Sequence, residues 1–213
     1  CEVGSNYRKE SELDDYLKKH NIVGISGVDT RALTRKIRNM GVMNAMITDS
    51  LKDLPQKIAA LKKYKVAGAV EKTSCTEAEE LNPIDETHKY RVVLYDFGAK
   101  RNIERMLIKY GCSVVRVPYN TTAEQALSYK PNGIMLSNGG GDPADNVEVI
   151  NQLKKLNEKR LPTFGICLGH QLLALSFGAK TTKLKYGHRG GNQPVKDLET
   201  GKTYITSQNH GYA

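Results

Sequence analysis

The residues Phe164-Gly165-Ile166-Cys167-Leu168-Gly169-His170-Gln171 set a cysteine between a short apolar run and a helical pattern, with glycines two positions before and two after it. That is the layout of a nucleophile elbow with sulfur in place of a serine hydroxyl: the turn is too tight for side chains at the flanking positions, and the nucleophile is pushed out at the carboxyl edge of a sheet. A sulfur at a helix N-terminus also meets the partial positive charge there, which favours the attacking thiolate. A small buried cysteine in a strand-to-helix turn has the same spacing, so the motif alone leaves both readings open. A second segment, Ser137-Asn138-Gly139-Gly140-Gly141-Asp142-Pro143, follows another apolar run. Its glycines can turn backbone N–H groups toward a ligand, as an oxyanion hole for a tetrahedral acyl intermediate requires, although Gly-Gly-Gly-Asp-Pro is also ordinary turn chemistry. No Gly-Lys-Ser/Thr follows it, so it is not a phosphate loop of the usual kind.

The elements that must hold these two segments alternate in type. From Tyr90 onward short apolar runs alternate with amphipathic helices, the pattern of βα units and a parallel sheet. Strands are expected at 91–96, 113–117, 133–136 and 163–166. The helix after the first carries Ile103, Met106, Leu107 and Tyr110 on one face and ends at Gly111; Thr121 with Glu124 reads as a capping box, and Asp145 as the cap of a helix burying Val149, Ile150, Leu153 and Leu156. In a parallel sheet both Gly-rich segments then lie at the carboxyl edge, where ligands bind. Before this region, residues 72–89 are polar and acidic, contain Pro83 and lack periodicity, which reads as a linker. The first 71 residues predict a helix led by Leu13, Tyr16 and Leu17, a second capped by Asp29 and stopped by Gly41, a strand at 42–48 and a third helix marked by Leu54, Ile58 and Leu61.

With 213 residues, 39% hydrophobic and 26% charged, the chain is long enough for one or two packed domains and too apolar for disorder. No apolar run reaches the 18 to 20 residues, roughly, that cross a bilayer, and the N-terminus lacks the layout of a signal peptide, so no membrane role and a cytoplasmic location are expected. Cys1, Cys75, Cys112 and Cys167 show neither zinc spacing nor a disulfide framework. The net charge of +9 is unevenly spread, with 15 Lys/Arg against 14 Asp/Glu over 1–90 and 17 against 9 over 91–213. These cations are scattered among apolar positions without interleaved aromatics or a basic recognition helix, which argues against a nucleic-acid partner.

Taken together, Ser137–Pro143 and Gly165–Gln171 resemble the class I glutamine amidotransferase family. Within it, Lys185–Val195 with Gly190-Gly191-Asn192-Gln193-Pro194-Val195, Ser207–Tyr212, Val28-Asp29-Thr30-Arg31 and Tyr95-Asp96-Phe97-Gly98 resemble the small-subunit branch of the glutamine-dependent carbamoyl-phosphate synthetases, over essentially the whole chain. The resemblance implies a doubly wound, flavodoxin-like α/β domain with a mostly parallel sheet at 90–213, C-terminally incomplete, preceded at 1–71 by part of a smaller α/β domain. It implies that Cys167 takes the acyl group of L-glutamine as a thioester, that the N–H groups of Gly139 and Leu168 form the oxyanion hole, and that Gly141, Gln171, Asn209, Gly211 and Tyr212 hold the substrate. Ammonia would pass to a large partner subunit carrying the ATP and magnesium sites, for arginine and pyrimidine synthesis, with no cofactor in this chain.

Three departures qualify this. The family draws its base and carboxylate from a His-Pro-Glu stretch, absent here, so His and Glu are expected beyond Ala213; His20 and His88 read as solvated, His170 as structural, and His188 and His210 as residues of Gly-rich loops. A serine contributed by the family's larger N-terminal domain has no counterpart. Gly140 stands where the family usually has proline, which should loosen the loop. The rival readings are an amidotransferase of the anthranilate or GMP type, which would not call for the Asp29–Arg31 helix, and a catalytically silent partner-binding module.

Overall fold

The computed structural model describes residues 4–82 and 87–213, so Cys1 and Pro83 lie outside the described residues. The chain divides after Lys65 into two units.

The first unit carries three helices, α1 (Leu13–Lys19), α2 (Thr30–Met40) and α3 (Leu54–Lys63). Asp29 caps α2 as expected, accepting from the Ala32 N–H at 2.8 Å, and Gly41 ends it at φ 94°, a left-handed conformation glycine adopts without penalty. The N-cap of α1 is Glu12. The strand expected at 42–48 does not form, and no strand appears among the described residues of this unit. An apolar run makes a strand only when a neighbour completes the ladder; here Asn44 instead donates to Leu61 O and Tyr64 O, at 2.7 and 2.8 Å, closing the end of α3. None of the three helices buries a residue, and Leu33 and Met40 of the apolar stripe of α2 remain exposed.

The second unit begins with α4 (Ala69–Thr73) and is built on a five-stranded sheet: β1 (Glu79–Glu80), β2 (Tyr90–Asp96), β3 (Cys112–Pro118), β4 (Gly133–Leu136) and β5 (Thr163–Gly165), in the spatial order β1-β3-β2-β4-β5. Strands β3, β2, β4 and β5 are parallel, with Val93 opposite Val115 and Ile134; β1 alone is antiparallel. Side chains alternate between two cores. Val93, Tyr95, Val115, Val117 and Leu136 pack under α6 (Ala123–Ser128), α7 (Val147–Glu158) and α8 (Leu168–Ser176), while Leu94, Val114 and Met135 face the opposite side, against Ile103, Leu107 and Ile108 of α5 (Arg101–Lys109). Helices on both faces make the sheet doubly wound, and burying each large apolar side chain contributes about 1.5–3 kcal/mol. The chain passes from β2 to β3 on one side and then crosses to β4 on the other, so the crevice beyond the carboxyl ends of β2 and β4 is the topological switch point where open α/β sheets bind ligands.

Three local expectations shift. Thr122, not Thr121, caps α6, with Gln125 completing the box; Thr-x-x-Glu and Thr-x-x-Gln are offset by one residue, and Thr121 is buried with its carbonyl accepting from the Tyr95 hydroxyl at 3.2 Å. Asp145 belongs to a 3-10 turn, Pro143–Asp145, and Asn146 precedes α7. Several described residues of the segment expected to link the domains bond to the sheet. Ser74 Oγ accepts from Tyr119 N–H, Cys75 N–H donates to Asp96 Oδ2, and Asn82 bridges Cys112 O and Val114 N–H. Its acidity, which suggested solvation, serves an edge strand: Glu80 pairs with Arg91, and Glu79 with Arg116, which Glu104 also holds.

Tyr95 has no exposed surface, and burial, with a smaller contribution from Glu124, pushes its phenol well above the ordinary value near 10. The folded state therefore holds this proton more tightly than the unfolded chain: the stabilisation is complete below about pH 10 and is lost as the pH rises above it, at about 1.4 kcal/mol per pH unit. Tyr95→Phe is expected to flatten the alkaline fall in denaturant-melt stability by that slope; equal slopes in the two proteins would contradict it.

The last element is an antiparallel ribbon of β6 (Lys183–Lys196) and β7 (Thr203–Tyr212). The sequence reading placed His188 and His210 in Gly-rich loops; they face each other across this ribbon. The glycines mark its irregularities, with Gly187 at φ 71° and Gly190 at φ 122° where the register shifts.

Candidate active site

The turn from β5 into α8 holds Cys167 at φ 52° and ψ −108°, a conformation a non-glycine residue occupies only at a cost of about 1–3 kcal/mol. The flanking glycines make that turn possible. A Cβ on Gly165 would lie 2.5 Å from the carbonyl carbon of Gly169 and from the His170 nitrogen, and one on Gly169 would strike the backbone of Leu136, 2.7 Å from its carbonyl carbon. The first turn of α8 thus lies directly on the end of β4, where Gly169 N–H donates to Ser137 O at 3.1 Å and to Ile166 O at 3.0 Å.

The loop after β4 reaches the same place. A Cβ on Gly139 would sit 2.5 Å from Phe97 O and 2.6 Å from Leu168 Cδ2, so only glycine fits between the loop after β2 and the elbow. That contact brings the backbone of Gly139 beside Leu168, whose N–H, as the first of a helix, has no partner within it. Gly141 turns the chain at φ 96°. Gly140 has room: its nearest neighbour would be Ala69 Cβ at 3.9 Å, and its φ is not left-handed. Gly140→Pro is expected to stabilise the protein by about 0.4–1 kcal/mol, by removing freedom from the unfolded chain, read as a rise in melting temperature. A lower melting temperature would show that the loop relies on glycine here.

The end of β7 covers this edge. Cys167 Sγ lies 3.8 Å from Asn209 O, Gln171 Nε2 donates to Tyr212 O at 2.6 Å, and the Tyr212 phenol is pushed up by burial and by the carboxylates of Asp142, which accepts its hydrogen bond, and Asp145. Tyr212 O accepts a second bond, from His210 Nδ1 at 2.7 Å, and His210 Nε2 lies 3.1 Å from His188 Nδ1 and 3.0 Å from Gln208 Oε1. Arg189 donates to the carbonyls of His188 and His210. His170 is exposed on α8, while His88, expected to be solvated, has Nε2 2.7 Å from Asn82 Nδ2. A cavity of about 360 Å³ opens on the far flank of the loop, against Ala69, Val70, Gly140, Gly141, Asp142 and Asn146; Cys167 is not among its walls. Among the described residues no cluster of three His, Cys, Asp or Glu side chains is suited to a metal, and no helix is long and apolar enough to cross a membrane.

Residues missed by sequence reasoning are Ser137 and Asn138, which stand in the loop motif but attracted no role because their bonds run to residues about 40 positions away. The candidate residues Gly139, Gly141, Cys167, Leu168, Gln171, Asn209, Gly211 and Tyr212 all fall within one stretch, 93–213, that matches the family Glutamine amidotransferase class-I. The chain belongs to the class I glutamine amidotransferases. Ahead of this amidotransferase domain, residues 1–47 match the CPSase domain of the carbamoyl-phosphate synthase small chain. Among curated relatives, the carbamoyl phosphate synthase small chain of Bacillus cereus is 52% identical over all 213 residues and that of Fusobacterium nucleatum is 48% identical over 214; the alignments take in the whole of this amidotransferase chain but 57% and 58% of theirs. The protein of the same name from Methanococcus maripaludis is 47% identical over 210 residues, 95% of this chain and 57% of its own. The amidotransferase chain thus spans a little over half the length of these relatives.

Proposed function

We propose that this chain is the glutamine-hydrolysing portion of a carbamoyl-phosphate synthase small chain, with Cys167 as its nucleophile. Sγ, deprotonated by a general base, attacks the γ-carboxamide carbon of L-glutamine. The carbonyl oxygen becomes an oxyanion held by the N–H groups of Gly139 and Leu168, the proton passes to the departing nitrogen, and ammonia leaves a γ-glutamyl thioester. Water then attacks the thioester, releasing glutamate and restoring the thiol. Gly141, Gln171, Asn209, Gly211 and Tyr212 hold the amino-acid end of the substrate. The ammonia goes to a large subunit, where the ATP and magnesium chemistry belongs, and the assembly is a heterodimer of the cytoplasm.

The observation that carries this reading is the strained backbone of Cys167 next to the contact of Leu168 with Gly139: a residue kept at φ 52° against its preference, followed by one packed on a loop glycine that leaves no room for a side chain, is the expected form of a preorganised acyl-transfer site. The described hydrogen-bond partner of Sγ is a carbonyl, Asn209 O, not an imidazole, and no His-Pro-Glu occurs in the sequence. We therefore assign the base and its carboxylate to the part of the small chain beyond these 213 residues, consistent with the longer relatives.

The test is acid quench with glutamine followed by mass spectrometry of the peptide carrying Cys167. The full-length small chain in its complex is expected to carry the glutamyl adduct there, and the 213-residue chain to carry little or none. No adduct on either protein, both being folded, would sink the mechanism and favour a partner-binding module.

A further inference from the structure

Ser137 has no accessible surface, and all of its polar groups are engaged. Its N–H donates to Tyr95 O at 3.2 Å and its carbonyl accepts from Gly169 N–H at 3.1 Å. Its hydroxyl oxygen accepts from Phe97 N–H at 2.8 Å and lies 2.8 Å from the carbonyl oxygen of Asn138. The direction of the last bond follows from the partners: the Phe97 amide can only donate and the Asn138 carbonyl can only accept, so the single hydroxyl proton points at Asn138 O.

The peptide joining Asn138 to Gly139 is planar and trans, so its N–H points opposite to its C=O. Holding the Asn138 oxygen on one side therefore aims the Gly139 N–H on the other. The Asn138 side chain steadies the same unit, donating to Gly98 O at 2.9 Å and accepting from Lys100 N–H at 3.2 Å. The Ser137 carbonyl meanwhile holds Gly169, the residue after Leu168. One buried residue thus references both expected oxyanion donors, one through its hydroxyl and one through its carbonyl.

We propose that Ser137 is a positioning residue whose hydroxyl aims the Gly139 N–H at the developing oxyanion. This rests on the acyl-transfer reading of Cys167. Deleting an oxyanion donor outright lowers turnover by about 100- to 1,000-fold, so a donor left in place but no longer aimed should lower it by about 10- to 100-fold. The ground-state carbonyl relies less on that donor than the tetrahedral state does, so the loss falls on kcat and not on KM.

The experiment compares wild-type and Ser137→Ala full-length small chain, each in the intact complex, for glutamine hydrolysis and for inhibition by glutamate γ-semialdehyde. The aldehyde forms a hemithioacetal with the nucleophilic thiol, and its oxygen occupies the oxyanion position. The expected result is a 10- to 100-fold fall in kcat, a KM within about threefold of wild type, and a loss of aldehyde affinity that follows kcat. Ser137→Cys, which keeps the volume and a weak donor, should lie between the two, and it supplies the reading if the alanine variant does not fold. Unchanged kcat in a folded variant, or a loss in KM alone with aldehyde affinity intact, overturns the role of Ser137. Absence of a thioester in the wild-type complex would instead overturn the acyl-transfer reading, independently of Ser137.

Discussion

Cys167→Ala is expected to lower glutamine hydrolysis by the full-length small chain by a thousandfold or more, because no other group in the elbow can form the thioester. Glutamine binding should survive, since the residues assigned to it are not altered, and carbamoyl phosphate formation from added ammonia should persist in the complex. The strain at this position adds a signature that loss of activity alone would not supply. Alanine at φ 52° is as disfavoured as cysteine, so Cys167→Ala should leave stability nearly unchanged, whereas Cys167→Gly, equally inactive, relieves the backbone and should raise stability by about 1–2 kcal/mol. Denaturant melts of the three proteins test this. An unstabilised glycine variant would mean that the turn is not strained, and retained hydrolysis in the alanine variant would remove Cys167 from the chemistry.

Gly169→Ala should damage fold and site together. An added methyl would lie 2.7 Å from Leu136 C and Cβ, closer than carbon atoms approach without one of them moving, and the obstruction is backbone at the carboxyl end of β4, an interior strand of the sheet. The first turn of α8 must therefore lift from β4, breaking Gly169 N–H to Ser137 O and carrying the Leu168 N–H with it. Overpacking of this kind costs about 1–3 kcal/mol or more, and displacing an oxyanion donor should lower turnover about 100-fold besides. Gly191→Ala is the control: nothing lies within 4 Å of its added methyl and its φ is not left-handed, so stability should be unaffected. A Gly169→Ala protein as stable and as active as the control would show that the close approach of helix to strand plays no part in the site.

Much of this arrangement was legible because its causes are local. The four parallel strands were found within one or two residues, since each is a short apolar run bounded by turn residues. The cap at Asp29 and the stop at Gly41 follow from bonds three or four residues away. Expectations went astray where the deciding partner was distant. The polar, acidic stretch 72–89 reads as a linker because Arg91 and Arg116, which hold Glu80 and Glu79 respectively, come later in the chain. Glycines 187, 190 and 191 suggested loops because a bulged strand and a loop demand the same left-handed or open positions; cross-strand pairing with residues 203–212 made the difference. The absent strand at 42–48 is the converse, an apolar run with no neighbour to pair.

The sequence by itself determined the family, the parallel α/β rhythm and the tight strand-to-helix turn at Cys167, since glycine spacing about Cys167 acts within five residues. The tertiary structure alone decided what surrounds the sulfur: Asn209 O beside Sγ, Tyr212 O on Gln171, and Ser137 tying Phe97, Asn138 and Gly169 into one frame. Apart from the bond to the adjacent Asn138, those contacts join residues some 30 to 40 positions apart, and each ends on a backbone atom, which every residue type carries alike. Side-chain identity therefore leaves no trace of them until the strands have set the loops at one edge of the sheet.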